Sequence, residues 1–242
     1  PHKPIATDIK FSSLYPDQNE RNSTYYGNIT QMDYALGKVM EALDAVGVSE
    51  NTLLIFTSDN GPVASEGGST GGLRGGKRSD FEGGICVPFL VRWPSHITAG
   101  TVSDIPVIGT DIFSTVLDTT GIPPPSDRTI DGVSMLPVFK GQRVERKTPL
   151  FWRTHVSGAD NRVAVRVDDW KIVANDTLTD FKLFNVQKDR VEKDDLALKM
   201  PGKTEEMKKL LLATWADIVE EGPNEWWETE RQKPSKGGTL SF

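Results

Sequence analysis

Residues Leu53-Leu54-Ile55-Phe56-Thr57-Ser58-Asp59-Asn60-Gly61-Pro62 join a short apolar, β-prone run to a polar turn. A run of that kind reads as a strand buried on both faces. Upstream, Ile29, Met32, Leu36, Val39, Met40, Leu43 and Val46 recur at helical spacing, and Gly47 supplies the stop. Helix, short turn and buried strand together predict a parallel α/β sheet. Ligands of open α/β sheets gather at the carboxyl ends of strands, so the turn Ser58–Pro62 is a candidate site.

Working outward, the stretch from Ser58 to Gly84 is crowded with glycine and polar residues and reads as a long functional loop. Val87 to Trp93 restores an apolar strand that Pro94 closes. Asp111 is expected to cap a helix running through Ile112, Val116 and Leu117 to Gly121. After about Lys147 the pattern changes to short aromatic and β-branched runs, Leu150–Trp152, Val163–Val167, Trp170–Val173 and Phe181–Phe184. Turn residues separate them, which predicts an antiparallel sheet. Lys203 to Glu220 reads as an amphipathic helix with Met207, Leu210, Leu211, Trp215 and Ile218 on one side. Trp226-Trp227 in the polar tail is a candidate docking point. The expected division is an α/β unit over 1–146 and a smaller antiparallel α+β unit over 147–242.

With 242 residues the chain can bury a substantial core. A net charge of -6 with both signs interspersed argues against nucleic-acid binding. No apolar run reaches the roughly 20 residues that span a bilayer. Cys86 is the single cysteine, so neither an intrachain disulfide nor a thiolate zinc site is expected. The opening Pro1-His2-Lys3-Pro4 has no initiator Met and reads as the middle of a longer protein.

Asp59 offers a carboxylate and Asn60 an amide oxygen, hard donors suited to calcium or magnesium. The same triplet with Gly61 also favours an Asx turn without any metal. Gly71-Gly72-Leu73-Arg74-Gly75-Gly76-Lys77 is a cationic glycine loop able to close around an oxyanion, or to remain a solvated surface loop. Arg78 follows Lys77, so the loop does not match the phosphate-loop pattern. Arg74 and Arg78 read first as solvated charges and second as contacts for further anionic groups. His96 reads as exposed. Cys86 reads as a buried structural cysteine, and the run Glu192-Lys193-Asp194-Asp195 as a surface.

In order, Leu53–Gly61, Leu73-Arg74-Gly75-Gly76-Lys77 and Phe81-Glu82-Gly83-Gly84-Ile85-Cys86-Val87-Pro88, ending in Trp93-Pro94, resemble a signature region of the formylglycine-dependent sulfatases. Gly109–Thr115, Ile130–Ser134, Val163–Arg166, Asp169–Ile172 and Leu183–Asn185 are similar to later family segments. The resemblance implies a partial alkaline-phosphatase-like core followed by a smaller C-terminal subdomain. It implies hydrolysis of sulfate esters, aryl sulfates or sulfated glycans, at a calcium-type ion, magnesium being the other candidate. Asp59 and Asn60 correspond to metal ligands. Lys77 corresponds to a lysine on the sulfate and leaving oxygen, and His2 to a sulfate-binding histidine. His155, near the junction of the two units, is a candidate specificity residue. A periplasmic, secreted or lysosomal location is what the family habit implies.

The family's nucleophile, a formylglycine made from Cys or Ser in a Cys/Ser-x-Pro/Ala-x-Arg context, has no counterpart here. Cys86-Val87-Pro88-Phe89-Leu90 lacks the arginine. The chain is therefore expected to be the inactive C-terminal part of a sulfuric ester hydrolase. The alternatives are a phosphodiesterase or phosphonate hydrolase of the same superfamily, or a non-catalytic sulfatase-like binding module if the chain is complete.

Overall fold

The structure, a computed structural model, describes residues 2–154 and 162–221; His155 and Trp226-Trp227 lie outside them. The elements run α1 (Ile9–Ser12), α2 (Glu20–Ala45), β1 (Leu54–Thr57), α3 (Glu82–Ile85), β2 (Phe89–Arg92), α4 (Thr110–Thr120), α5 (Leu136–Phe139), β3 (Leu150–Arg153), β4 (Val163–Val167), β5 (Trp170–Ala174), β6 (Phe181–Asn185) and α6 (Pro201–Glu221). Asn19 caps α2, its side chain accepting from the Asn22 N–H.

Two sheets form, both antiparallel. β1 pairs with β2 in the register Leu54 to Arg92 and Thr57 to Phe89. This corrects the expectation of a parallel sheet. Parallel neighbours need a crossover connection, usually a helix, whereas the chain between β1 and β2 is a glycine-rich loop with one helical turn, α3. β1 is half-buried and Thr57 is exposed, rather than buried on both faces.

The second sheet, in order β3-β4-β5-β6, carries the main core. Side chains alternate between its faces with period two. Val163, Val165, Ile172, Ala174 and Leu183 share one face and pack against Met207 and Leu211 of α6. Ala164, Val173 and Phe184 occupy the other face and pack against Phe81, which the long loop delivers. Phe81 and Phe184 meet edge to face with ring centroids 5.9 Å apart. The sheet is thus covered by a helix on one side and by the Gly75–Glu82 loop on the other.

Asp111 does not cap α4. Gly109 holds that position without a side-chain bond, and Gly121 ends the helix in the left-handed conformation. Asp111 sits inside the first turn, fully buried. Its carboxylate accepts from the Ile108 and Val133 N–H groups and from both terminal nitrogens of Arg146, at 2.8 and 2.5 Å. It ties the start of α4 to the segments on either side of α5.

Candidate active site

The end of β1 and the Gly75–Glu82 loop are zipped together by backbone. The Gly61 N–H donates to Gly84 O at 2.7 Å, the Lys77 N–H to Pro62 O at 2.9 Å, and the Gly83 N–H to Arg74 O at 2.7 Å. A Cβ on Gly61 would stand 1.9 Å from Gly83 O, and one on Gly84 would stand 1.9 Å from Ser79 O. The glycines of Phe81-Glu82-Gly83-Gly84 are there because two backbones approach too closely for any side chain.

The zip forms one wall of a cleft of about 270 Å³ lined by Asp59, Asn60, Arg78, Ser79, Asp80, Gly84, Ile85, Trp152, Arg153 and Thr154. Asp59 is exposed and Asn60 half-buried. Asn60 donates through Nδ2 to Gly61 O at 3.2 Å, which leaves its Oδ1 free to accept. The pair therefore presents oxygen donors side by side at the end of a strand. Among the described residues no group of three His, Cys, Asp or Glu is gathered for a metal. Two oxygens fit part of a hard-cation shell, which needs six or more.

Arg78 lines the same cleft and holds φ at 73°, a left-handed conformation that non-glycine residues adopt mainly under local constraint. Lys77 precedes it, half-buried, with its N–H fixed on Pro62. His2 is exposed, bonded through Nδ1 to Lys3 O at 2.9 Å, and is not among the cleft residues. Its neighbour Lys3 pairs with Glu66 at 2.7 Å and lines a separate hollow with Arg21. His155 lies outside the described residues; Trp152, Arg153 and Thr154, which precede it in sequence, line the cleft.

Arg74 is exposed, as expected of a solvated charge, and in addition donates to Glu192 O at 2.8 Å and stacks 3.9 Å over the Phe81 ring. Cys86 is half-buried at the end of α3, with the Arg190 guanidinium 3.7 Å from its Sγ, rather than buried in an apolar strand. His96 is exposed and stacks on Trp93 at 3.6 Å. The reading of Glu192 as a surface residue is wrong. Glu192 is completely buried, at φ 54°, and its Oε2 accepts from the Glu82 N–H. Lys171, also fully buried, donates to Glu82 Oε1 at 2.9 Å and lies 2.9 Å from Glu192 Oε1. Burial pushes the Glu192 carboxyl up despite the opposing pull of Lys171.

Sequence reasoning missed this Lys171–Glu82–Glu192 cluster. Its signal was a lysine at a strand centre between Trp170 and Ile172, on the face that also carries Val173. Asp80 was missed as well. It is 1% exposed; Oδ1 accepts from Thr154 Oγ1 at 2.6 Å, and Oδ2 has no hydrogen-bond partner among the described residues.

Two family models match the sequence. Residues 2–122 match the model described as Sulfatase, and residues 75–217 match that of the N-sulphoglucosamine sulphohydrolase C-terminal region. The chain belongs to the sulfatase family. This sulfatase chain is 41% identical to the human N-acetylgalactosamine-6-sulfatase over 156 residues, 61% of the chain and 30% of that protein. It is 38% identical to human steryl-sulfatase over 140 residues, 54% of the chain and 24% of that protein. The crystal structure of Ps i-CgsB superposes with a TM-score of 0.79 at 31% identity, over 86% of the sulfatase chain and 46% of the other. The sulfatase chain thus matches less than half the length of each of these relatives. The fold is that of the alkaline-phosphatase-like sulfatases, in part.

Proposed function

We propose that the chain is the part of a sulfuric ester hydrolase that supplies two metal oxygens, the sulfate-binding lysine and one wall of the substrate cleft. The observation that carries this reading is the cleft at the end of β1, lined by Asp59, Asn60 and Arg78, with Lys77 next to Arg78 and its N–H held on Pro62 O. In this reading Asp59 and Asn60 hold a calcium-type ion together with ligands from elsewhere in the full protein. Such an ion, with a formylglycine outside this chain, supplies Lewis acidity and the nucleophile. Lys77 neutralises a sulfate oxygen and delivers a proton to the departing alcohol oxygen, and His2, outside the cleft lining in this structure, is the second sulfate-binding residue of this reading. His155, outside the described residues, is the candidate specificity residue of this reading.

Sulfated glycans are the substrate class we favour. Ps i-CgsB, 31% identical, has been crystallised with a neocarrahexaose, and the name N-acetylgalactosamine-6-sulfatase states a sugar substrate for that relative. A secreted, periplasmic or lysosomal location accompanies this reading; among the described residues no helix is long and apolar enough to cross a membrane.

The test is turnover of N-acetylgalactosamine 6-sulfate and 4-nitrophenyl sulfate by the full-length protein with calcium, beside Asp59→Ala and Lys77→Ala. Both substitutions are expected to lower kcat/KM by at least about a hundredfold. Undiminished turnover in either variant overturns the assignment. A second reading comes from the phosphonate monoester hydrolase of Agrobacterium radiobacter, 28% identical with a TM-score of 0.60 over 81% of the chain. Faster cleavage of a phenylphosphonate ester than of any sulfate ester would establish it instead.

A further inference from the structure

Among the described residues of the cleft, Asp80 is a buried carboxylate with one oxygen left without a hydrogen-bond partner. Its main-chain neighbours fix it firmly: Ser79 N–H is held by Gly76 O, and Ser79 Oγ accepts from the Phe81 N–H. The side chain is nearly sealed from water, with one oxygen taken by Thr154 and the other without a partner among the described residues. Leaving a buried carboxylate oxygen without a donor is costly, and native proteins keep such groups rarely and for a reason. Here burial pushes the Asp80 carboxyl up, against the pull of the Thr154 hydroxyl and Lys171.

The position gives the reason. Asp80 lines the cleft together with Asp59, Asn60, Trp152 and its own partner Thr154. A sugar ring whose sulfate sits toward Asp59, Asn60 and Lys77 brings its remaining hydroxyls to this wall. Trp152, half-buried against the Phe81–Phe184 cluster, adds apolar surface to the same cleft. A ligand hydroxyl is the missing donor.

We propose that Asp80 is a specificity residue that accepts a hydrogen bond from a ring hydroxyl of the sulfated sugar. This rests on the sulfated-glycan reading above. A site built to bond a hydroxyl discriminates strongly against a substrate lacking it, because a buried polar group is then left unpaired. An aryl sulfate has no such hydroxyl.

The deciding measurement is the ratio of kcat/KM for N-acetylgalactosamine 6-sulfate or a neocarrahexaose, whichever is faster, to that for 4-nitrophenyl sulfate. It is made on the full-length protein and on Asp80→Asn. The amide keeps the bond from Thr154 and the shape of the side chain, so the variant folds. The ratio is expected to fall about tenfold, the loss of one charged hydrogen bond. Thr154→Val, which removes only the internal donor, is expected to change the ratio less. A ratio within about twofold of wild type in Asp80→Asn overturns the proposal while leaving the glycan reading standing. A wild-type protein that cleaves 4-nitrophenyl sulfate but neither sugar overturns both.

Discussion

Lys171 Nζ donates to Glu82 Oε1 over 2.9 Å across 89 positions of sequence, with both side chains withdrawn from solvent. The pair joins the middle of the C-terminal sheet to the loop that carries Lys77 and Asp80. Glu192 completes it from the segment after β6, bonding the Glu82 N–H. One cation therefore serves two buried carboxylates.

Replacing Lys171 by Met takes the counter-charge from buried Glu192 and leaves buried Glu82 with only Arg166, 3.9 Å away. The expected loss is about 3–5 kcal/mol, read as a lower urea midpoint with unchanged slope. The triple variant Lys171→Met, Glu82→Gln, Glu192→Gln removes the charges together and is expected to lose less than the single change.

The Asp111–Arg146 pair gives a second, independent prediction. Arg146→Met abandons a carboxylate with no exposed surface and is expected to cost about 3 kcal/mol. Asp111→Asn keeps acceptors for one backbone N–H and should cost less. Equal losses in the two variants would show that Arg146 acts by packing alone.

Glycine substitutions should split by location. Gly84→Ala forces a Cβ against Ser79 O and is expected to cost about 3 kcal/mol or more, with the cleft disturbed. Gly37→Ala, in the open on α2, is expected to stabilise by about 0.5–1 kcal/mol. Thermal melts of the two variants side by side read the contrast.

The pH dependence of Asp80 follows from burial. A carboxyl raised in the folded state contributes stability that is full below its ordinary value of 3.8 and is lost as pH rises through the folded value. Asp80→Asn does not ionise, so it is expected to exceed wild type in urea midpoint at pH 7. The advantage should shrink as pH falls toward 4. A constant difference across that range would refute the burial argument.

Local signals made much of the molecule legible. The runs at Leu150, Val163, Trp170 and Phe181 became β3 to β6, and the helix expected over 203–220 is Pro201–Glu221. The pattern of Asp59-Asn60, Lys77 and Phe81-Glu82-Gly83-Gly84 identified the family. What failed was long-range. The pairing of β1 with β2 depends on how a loop closes, which a strand's own residues do not encode. Glu192 sits among Lys193, Asp194 and Asp195, and only its distant partner explains its burial. Asp111 looked like a cap because helix periodicity says nothing of Arg146, 35 positions on.

The backbone zip between Gly61, Gly83 and Gly84 and the shared cation at Lys171 have a bearing on how such proteins can be recombined. A chimera that takes its C-terminal sheet from another family member inherits residues 171 and 192 but keeps residue 82. Grafts should succeed only where all three positions travel as a unit, and a crossover placed between residues 85 and 170 separates them. Substitutions at 171 or 192, far along the chain from the cleft, would then register biochemically as lesions of the cleft itself.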